Sequence, residues 1–427
     1  MEKQAIVRST VDGSIALDAT RPVPAAAPVQ AKAAVRLLFV DNIRVFLTIL
    51  VILHHLMITY AGTGRWYYNE GGADAFTGYA GGWFCSINQA YFMSLFLLIS
   101  AYFVPGSYDR KGAGRFLKDR LIRLGIPLAV FSWVLHPLFV YGGLVLAYDL
   151  RMSLWRFITT EYFTTYGQPV IGAGPLWFVE VLLIFSLVYV LWRLVFRARP
   201  PVPAPAAQAQ GQTAKSGVET RFPGNGSIAL FALLLGVAGF LVRLVFPMDE
   251  YLFQPLNLQL GFFAQYIALF IVGLIAYRRN WLLSLPDKTG RLWLGIAALF
   301  ILLGVGMQWA MATTVMSGAL KNGGWHWESL TYALWESFLC MSMCIGLIYA
   351  FRHYLNRRGK LAEFLVPNAY TAYIIHALVI TTVALIASDL LPIYPLLKWM
   401  VVALVSVPLC FGLSSLIRKI PYTDRVL

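Results

Sequence analysis

The sequence predicts an all-α polytopic membrane protein, a bundle of about ten transmembrane helices with both termini in the cytosol. Apolar residues make up 59% of the 427 residues and charged residues only 13%, whereas soluble domains carry roughly 25% charged residues. The mean hydropathy is +0.67. Apolar segments of about twenty residues, the length that crosses a bilayer as a helix, recur along the chain.

The predicted spans follow one another from residue 38 to residue 417. They cover residues 38–60, 86–105, 124–148, 175–197, 227–246, 260–278, 291–311, 329–351, 368–388 and 395–417. Residues 1–36 contain no hydrophobic core, so we interpret them as a disordered cytosolic tail and not as a signal peptide. The transmembrane domain is then 37–420, with 421–427 as a tail. The Pro-, Ala- and Gln-rich stretch 198–224 is a flexible cytosolic linker.

The basic residues indicate how these helices are oriented. If the N-terminus lies in the cytosol, 28 of the 34 Lys and Arg residues fall on the cytosolic side and six on the other. This bias matches the positive-inside rule, which places Lys and Arg in cytosolic loops. Topology therefore explains the formal net charge of +14, and we expect membrane lipid, not nucleic acid, as a partner.

Few titratable side chains interrupt the spans. They are His54, His55, His136, Glu180, Glu336 and His376. Such residues are functional candidates because lipid disfavours them, although each one taken alone is as well explained by a hydrogen bond between helices. His136 precedes Pro137, and we expect it to bond a carbonyl freed by the proline kink.

Arg44 and His55 lie in the same predicted span. Eleven residues of helix turn through about 1100°, so the two side chains share a face about 16 Å apart along the axis. Arg44 then lies at the cytosolic boundary and His55 beyond the midplane. His54 points about 80° away from Arg44, which indicates a supporting role for His54.

A basic segment and an aromatic loop complete the candidates. Arg115, Arg120 and Arg123 recur along a short amphipathic stretch, and guanidinium groups bind phosphate oxygens in bidentate fashion. This predicts a site for a nucleotide-bearing cofactor or for anionic lipid. The first outer loop reads Arg65-Trp-Tyr-Tyr68. Its aromatic residues are interpreted as interfacial anchors, with a sugar-binding platform as the alternative.

Five stretches form a recognisable series. Arg44 and His55 are separated by ten residues, and the others are Phe92-Met-Ser-Leu-Phe-Leu-Leu-Ile-Ser-Ala-Tyr-Phe103, Arg115 through Pro127, Gly174-Pro-Leu-Trp-Phe178 and Tyr370-Thr-Ala-Tyr-Ile-Ile-His376. In this order they resemble the membrane acyltransferase-3 family, whose R-x10-H motif is matched by the first pair. Ala101 stands where the family pattern has Gly. The resemblance runs from about residue 37 to 418, and within the family the chain resembles the glucan biosynthesis protein C type.

The resemblance implies an O-acyltransferase of the bacterial inner membrane. Its donor is acetyl-CoA or another acyl-CoA, and its acceptor is a hydroxyl of a glycan, a polysaccharide or a small molecule. His55 is then the base or transient acyl carrier. With the buried carboxylates Glu180 and Glu336 added as groups that orient the acceptor or the imidazole, the candidate catalytic set is His55, Arg44, Glu180 and Glu336. The acyl-CoA set is Arg44, Arg115, Arg120 and Arg123, the acceptor set is Trp177, Glu180 and His376, and no metal is expected.

Two other classes of function fit a membrane bundle with buried polar residues. One is a transporter of an anion or glycan that uses the buried His and Glu residues as a proton relay. The chain has no obvious internal repeat, which disfavours a transporter built from two similar halves. The other is a membrane scaffold in which the polar residues only join helices.

Overall fold

A computed structural model describes residues 37–148, 150–162, 164, 173–196, 221–248, 256, 258–313 and 322–427. Ten helices within these ranges are long and apolar enough to cross a membrane, and the described residues contain no β-strand. The predicted fold class is therefore confirmed. The predicted tail 1–36 and most of the predicted linker 198–224 lie outside the described residues.

Nine of the spans are single helices, numbered here in chain order. They are α1 (Leu38–Ala61), α2 (Ala75–Tyr102), α4 (Trp177–Val195), α5 (Asn225–Val245), α6 (Phe263–Arg278), α7 (Asp287–Thr313), α8 (Trp327–Tyr354), α9 (Lys360–Leu390) and α10 (Pro395–Ile417). The remaining span, α3, is a series of segments: Val104–Arg120, Leu121–Gly125, Ile126–Val130, Phe131–Leu135 and His136–Tyr148. Each predicted span overlaps one of these helices.

The predicted bounds differ most at the start of α3, which begins at Val104 and not at residue 124. They differ next at the start of α2, which begins at Ala75 and not at residue 86. The Asp74 carboxylate caps this helix by accepting hydrogen bonds from the backbone N–H groups of Phe76 (3.0 Å) and Thr77 (3.1 Å). The added turns also pack closely on α1, because a Cβ on Gly81 would lie 2.2 Å from the Cβ of Ala61. Hydropathy alone does not register such a cap or such a close approach.

The irregularity of α3 follows from its glycine and proline residues. Gly112 has a φ of +72°, and the helix turns there. Two turns, Leu121–Gly125 and Phe131–Leu135, have π-helical hydrogen bonds, and each lies just before a proline, Pro127 or Pro137. Proline lacks an N–H and disturbs the helical ladder, and π-turns are frequent at functional sites.

The first helix lies in the middle of the bundle. It packs against α2, α8, α9 and α10. In the most apolar windows of α1 and α8, 72% and 78% of the residues are buried, compared with 11% in α7. This contrast places α1 and α8 inside the bundle and leaves the apolar surface of α7 for lipid.

The two ends of the bundle differ in charge. One end, called here the basic end, carries Arg44, Arg120, Arg193 and Arg278. At this end Asp109 of α3 pairs with Arg193 of α4 (3.1 Å) and Arg278 of α6 (2.6 Å), which joins three helices. The opposite end, called the loop end, carries the segment between α1 and α2, named here the α1–α2 loop (Gly62–Asp74).

The α1–α2 loop is tied to the start of α10. Lys398 donates to the Glu70 carboxylate, and the Tyr394 hydroxyl donates to the Asp74 carboxylate at 2.6 Å. The backbone N–H of Glu70 also bonds the carbonyl of Thr59 in α1 (3.1 Å). These contacts hold the loop against the end of the bundle.

A buried ion pair joins α5 to α8. Arg243 donates to the Glu336 carboxylate, and both side chains are almost fully buried. The Nε of Arg243 also donates to the carbonyl of Gly261 (3.2 Å). Such a pair fixes helix positions, because removing one partner leaves a buried charge without compensation.

Removal of one partner of this pair should therefore destabilise the protein. We expect Glu336→Leu to lower the free energy of unfolding by about 3–5 kcal/mol, seen as a lower thermal unfolding midpoint in detergent. The double variant Arg243→Met/Glu336→Leu should recover most of the loss because it removes both charges. Glu363→Leu breaks the exposed pair with Arg358 and serves as the control, with little expected effect. An unchanged midpoint for Glu336→Leu would contradict this role of the pair.

The helix cap at Asp74 should make stability depend on pH. Hydrogen bonds from the hydroxyls of Thr77 and Tyr394 lower the pKa of Asp74 to about 2. Since the folded pKa is below the ordinary value of 3.8, the stabilisation is complete above pH 4 and is lost as the pH falls towards 2. Asp74→Ala should lower the unfolding midpoint at pH 7, and the difference from wild type should shrink below pH 4. A difference that is constant from pH 7 to pH 2 would refute this explanation.

Candidate active site

A cavity of about 550 Å³ lies at the loop end of the bundle. Its walls come from α1, the α1–α2 loop, α2, α3, α4 and α6, with contributions from α7 and α8. The histidines and aromatic residues in its lining are His54, His55, His136, Trp66, Tyr67, Phe92, Trp177, Phe262, Phe263, Tyr266 and Tyr332. Seven of the ten spans therefore border it through residues that are apart in sequence.

His55 lines the cavity, and one of its two ring nitrogens contacts a residue of α9. The Nδ1 atom of His55 lies 2.9 Å from the Nε2 atom of His376, and the Nδ1 atom of His376 lies at the backbone carbonyl of Tyr373. His376 is fully buried and is not part of the cavity lining. The predicted acceptor-binding residue thus lies behind His55.

The carbonyl of Tyr373 determines which ring nitrogens of His376 and His55 carry a proton. A carbonyl oxygen only accepts, so the Nδ1 of His376 carries a proton and the Nε2 of a neutral His376 accepts. The Nδ1–H of His55 must then be the donor to His376, which leaves the Nε2 of His55 as an unprotonated acceptor. The arrangement parallels catalytic triads, in which a third group fixes the tautomer of a histidine base.

The α1–α2 loop supplies an aromatic cover for His55. The indole of Trp66 stacks on the imidazole with ring centroids 4.1 Å apart and an interplanar angle of 13°. The adjacent Tyr67 packs edge-on against His136 at 5.5 Å. Both aromatic residues line the cavity. The sequence indicated interfacial anchors in this loop, so this contact was missed.

His136 is positioned differently from the prediction. Its Nδ1 atom lies 2.5 Å from the hydroxyl of Tyr162, and its ring lines the cavity. The expected hydrogen bond to a carbonyl freed by Pro137 was therefore wrong for Nδ1. The π-turn Phe131–Leu135 lies directly before it, and a π-turn shifts the helical register of the residues that follow.

His54 also borders the cavity, about 100° around α1 from His55. Its ring lies 5.0 Å from that of Phe92, and its Nδ1 is buried with no hydrogen-bond partner among the described residues. No contact joins it to His376. The predicted difference between the adjacent histidines is reflected in their surroundings, since only His55 has a partner that assigns its tautomer.

The wall opposite these histidines is aromatic and amide-rich. Trp177 stacks on Tyr266 at 5.4 Å, and Tyr266 stacks on Phe262 at 6.1 Å. The amide side chains in the lining are Gln89, Gln259, Gln308 and Asn322. Arg65 is the one lining side chain with a fixed charge, and no carboxylate of the described residues lines the cavity. Amides both donate and accept hydrogen bonds, so this wall suits a neutral or anionic ligand with several hydroxyls.

The two predicted glutamates lie outside the cavity lining. Glu336 is engaged by Arg243 behind the wall that Phe262 and Tyr332 form. Glu180 lies one turn beyond Trp177 in α4 and is 3% exposed, and neither carboxylate oxygen has a hydrogen-bond partner in the described part of the chain. Catalytic roles for both stay predictions.

Three of the predicted arginines come together at the basic end. Arg120 lies within electrostatic range of Arg44 and Arg123. Arg44 contacts Asp41 at 3.6 Å and lies over the ring of Phe103. The hydroxyl of Tyr370 in α9 donates to the carbonyl of Arg123 at 2.7 Å. Arg115 is exposed and is not shown in contact with this cluster.

The basic end and the cavity are separated by packed side chains. The helix α1 is continuous from Leu38 to Ala61, so Arg44 and His55 lie on one face as predicted. Between them on that face, Thr48 is 3% exposed and Val51 is fully buried. The cavity lining includes no residue of the arginine cluster. A ligand that spans both sites therefore requires this face to open.

Comparison with known proteins identifies the family. The acyltransferase-3 family model, described as an acyltransferase domain, matches residues 37–415. No curated protein and no solved structure matches the chain. The match covers the R-x10-H pair and all ten spans nearly to the end of α10, and the bundle is apolar enough to cross a membrane ten times. The chain therefore belongs to the acyltransferase-3 family and is an integral membrane acyltransferase.

Proposed function

We propose that this acyltransferase moves an acetyl, succinyl or similar group from acyl-CoA to a hydroxyl of a glycan or other polyhydroxylated acceptor. The observation that carries the proposal is the hydrogen-bonded series His55–His376–Tyr373 carbonyl. It leaves the basic Nε2 of His55 at the cavity that would receive the acceptor.

The reaction is a proton-assisted attack on the thioester. The Nε2 of His55 takes the proton of the acceptor hydroxyl, and the hydroxyl oxygen forms a bond to the thioester carbonyl carbon. The carbon–sulfur bond then breaks, and the proton passes from His55 to the departing thiolate to give the free thiol. A neutral histidine suits this role because its ordinary pKa is near neutrality. An alternative uses the same nitrogen to carry the acyl group transiently.

The donor is proposed to bind at the basic end. Arg44, Arg120 and Arg123 would hold the phosphates of CoA, for which guanidinium groups are well suited. The pantetheine arm would follow the shared face of α1 for about 16 Å, displacing the packing at Thr48 and Val51. By the positive-inside rule this end faces the cytosol, where acyl-CoA is made.

The acceptor is proposed to enter from the opposite, extracytoplasmic side. Its hydroxyls would bond the amides of the cavity, and a sugar ring would lie against Trp177 or Tyr266. Glu180 would orient the acceptor if a movement of α4 brought its carboxylate within hydrogen-bonding distance of an acceptor hydroxyl. The corresponding location is a bacterial inner membrane, and succinylation of a glucan is the specific form that the resemblance implies.

The role of His55 is tested by the release of free CoA from acyl-CoA in proteoliposomes with an added acceptor. His55→Ala should reduce acceptor-dependent release by about 10²–10⁴-fold, the usual contribution of a general base. His376→Ala should reduce kcat less and leave the KM for acyl-CoA unchanged, since it only removes the hydrogen bond that fixes the tautomer of His55. His326→Ala, at the loop end but outside the cavity lining, is the control. Wild-type release by His55→Ala would refute the proposal.

The donor site is tested by separate alanine variants of the arginine cluster. Arg120→Ala and Arg123→Ala should each raise the apparent KM for acyl-CoA by about tenfold, because each loses one charge-assisted contact with a phosphate. The KM for the acceptor should change little. Arg358→Ala removes an exposed arginine at the same end and is the matched control. An unchanged KM for acyl-CoA in both cluster variants would exclude this site.

The acyl group and acceptor are identified by mass spectrometry of surface glycans from cells with and without the gene. We expect the wild-type gene to add a mass of acetyl or succinyl size, and the His55→Ala gene to add none. A shift in glycan export without any added mass would favour the transporter instead.

A further inference from the structure

We propose that Trp66 is a positioning residue for the acyl transfer, and that it stabilises the positive charge that His55 acquires when it takes the acceptor proton. This inference rests on the proposed function of His55 as the base. It assigns a role to the α1–α2 loop that no motif of the sequence indicates.

The ring geometry shows that Trp66 lies over the face of His55. The imidazoles of His55 and His376 have centroids 5.0 Å apart, an angle of 18° and a 2.9 Å hydrogen bond between ring nitrogens. These values describe two rings lying edge to edge in nearly one plane. The Trp66 centroid is 4.1 Å from that of His55 and 6.2 Å from that of His376. The three distances are close to those of a right-angled triangle, so the indole stands directly above His55.

This position matches the charge that develops in the reaction. When Nε2 accepts a proton, His55 becomes an imidazolium whose charge spreads over the ring. The face of a tryptophan ring is the most favourable aromatic surface for a cation, and here water is excluded from one side of the imidazole. The stack therefore favours the charged intermediate state more than the neutral resting state, which is the condition for an effect on rate.

The loop is built to hold the indole in this place. Glycines at Gly62 and Gly64 have φ values of +65° and +86°, which allow the chain to leave α1 and turn back over His55. Farther along, Glu70 and Asp74 are anchored by Lys398 and Tyr394. Trp66 thus lies between two fixed points of the loop.

An interfacial anchor would be placed differently. Anchoring tryptophans keep their N–H group at the wet headgroup level. The Nε1 of Trp66 is buried and has no hydrogen-bond partner among the described residues. The side chain is half-buried and lines the cavity. By contrast, Trp327 at the same end is 65% exposed, as an anchor is expected to be.

The test compares Trp66→Leu, Trp66→Phe and the control Trp327→Leu in proteoliposomes, with succinyl-CoA or acetyl-CoA and glucose oligosaccharides as probes. Trp66→Leu keeps an apolar cover but loses the aromatic face, and should lower kcat about tenfold. Trp66→Phe should retain most of the activity. The KM for acyl-CoA should stay unchanged in both, and Trp327→Leu should behave as wild type. Equal kcat values for Trp66→Leu and wild type would overturn the proposal.

A second measurement tests the stack without any turnover. In protein with ¹³C-labelled histidine side chains, the ring current of the indole should shift the His55 signals upfield. His55→Ala assigns these signals, and Trp66→Leu should move them downfield, with smaller changes for Trp66→Phe. Absence of the upfield shift would disprove the stack itself. If instead His55→Ala remains active, the proposed function fails, whatever the Trp66 variants do.

Discussion

The hydrogen bond between His55 and His376 is the contact on which the arrangement of the site depends. It joins α1 to α9 across 321 positions of the sequence, in the interior of a bundle where an unpaired polar group is costly. The pairing requires the two helices to pack together. Because the Tyr373 carbonyl accepts from His376, His55 donates its Nδ1 proton towards α9. As a consequence the remaining nitrogen of His55 is left for a ligand of the cavity.

The rest of the polar framework keeps this pair in place without entering the cavity. Arg243 and Glu336 fix α5 against α8, and Asp109 gathers α3, α4 and α6 at the basic end. The charges in these two clusters are thereby compensated by their own partners. The walls of the cavity are then free to carry amides, aromatic rings and imidazoles, which interact with a neutral substrate without a large desolvation cost.

The two candidate binding regions lie at opposite ends of one helix face, with Thr48 and Val51 packed between them. A transfer from one side of a membrane to the other needs a connection that does not leave an open pore. A face that opens only around a bound arm meets both needs, because side chains close it again when the arm leaves. The packing of α1 is compatible with the proposed transfer only if this face opens around the donor.

The ten spans and the shared face of Arg44 and His55 were predictable from the sequence, because apolar length and helical period are local properties of the chain. The sequence also marked His376, through the Tyr370–His376 motif, but not its partner. Tertiary structure alone decided that His376 supports His55, that Trp66 covers it, that His136 borders the cavity and that Glu336 pairs with Arg243. Each of these is a contact between residues far apart in sequence, and its geometry depends on how the helices pack, which no local pattern encodes.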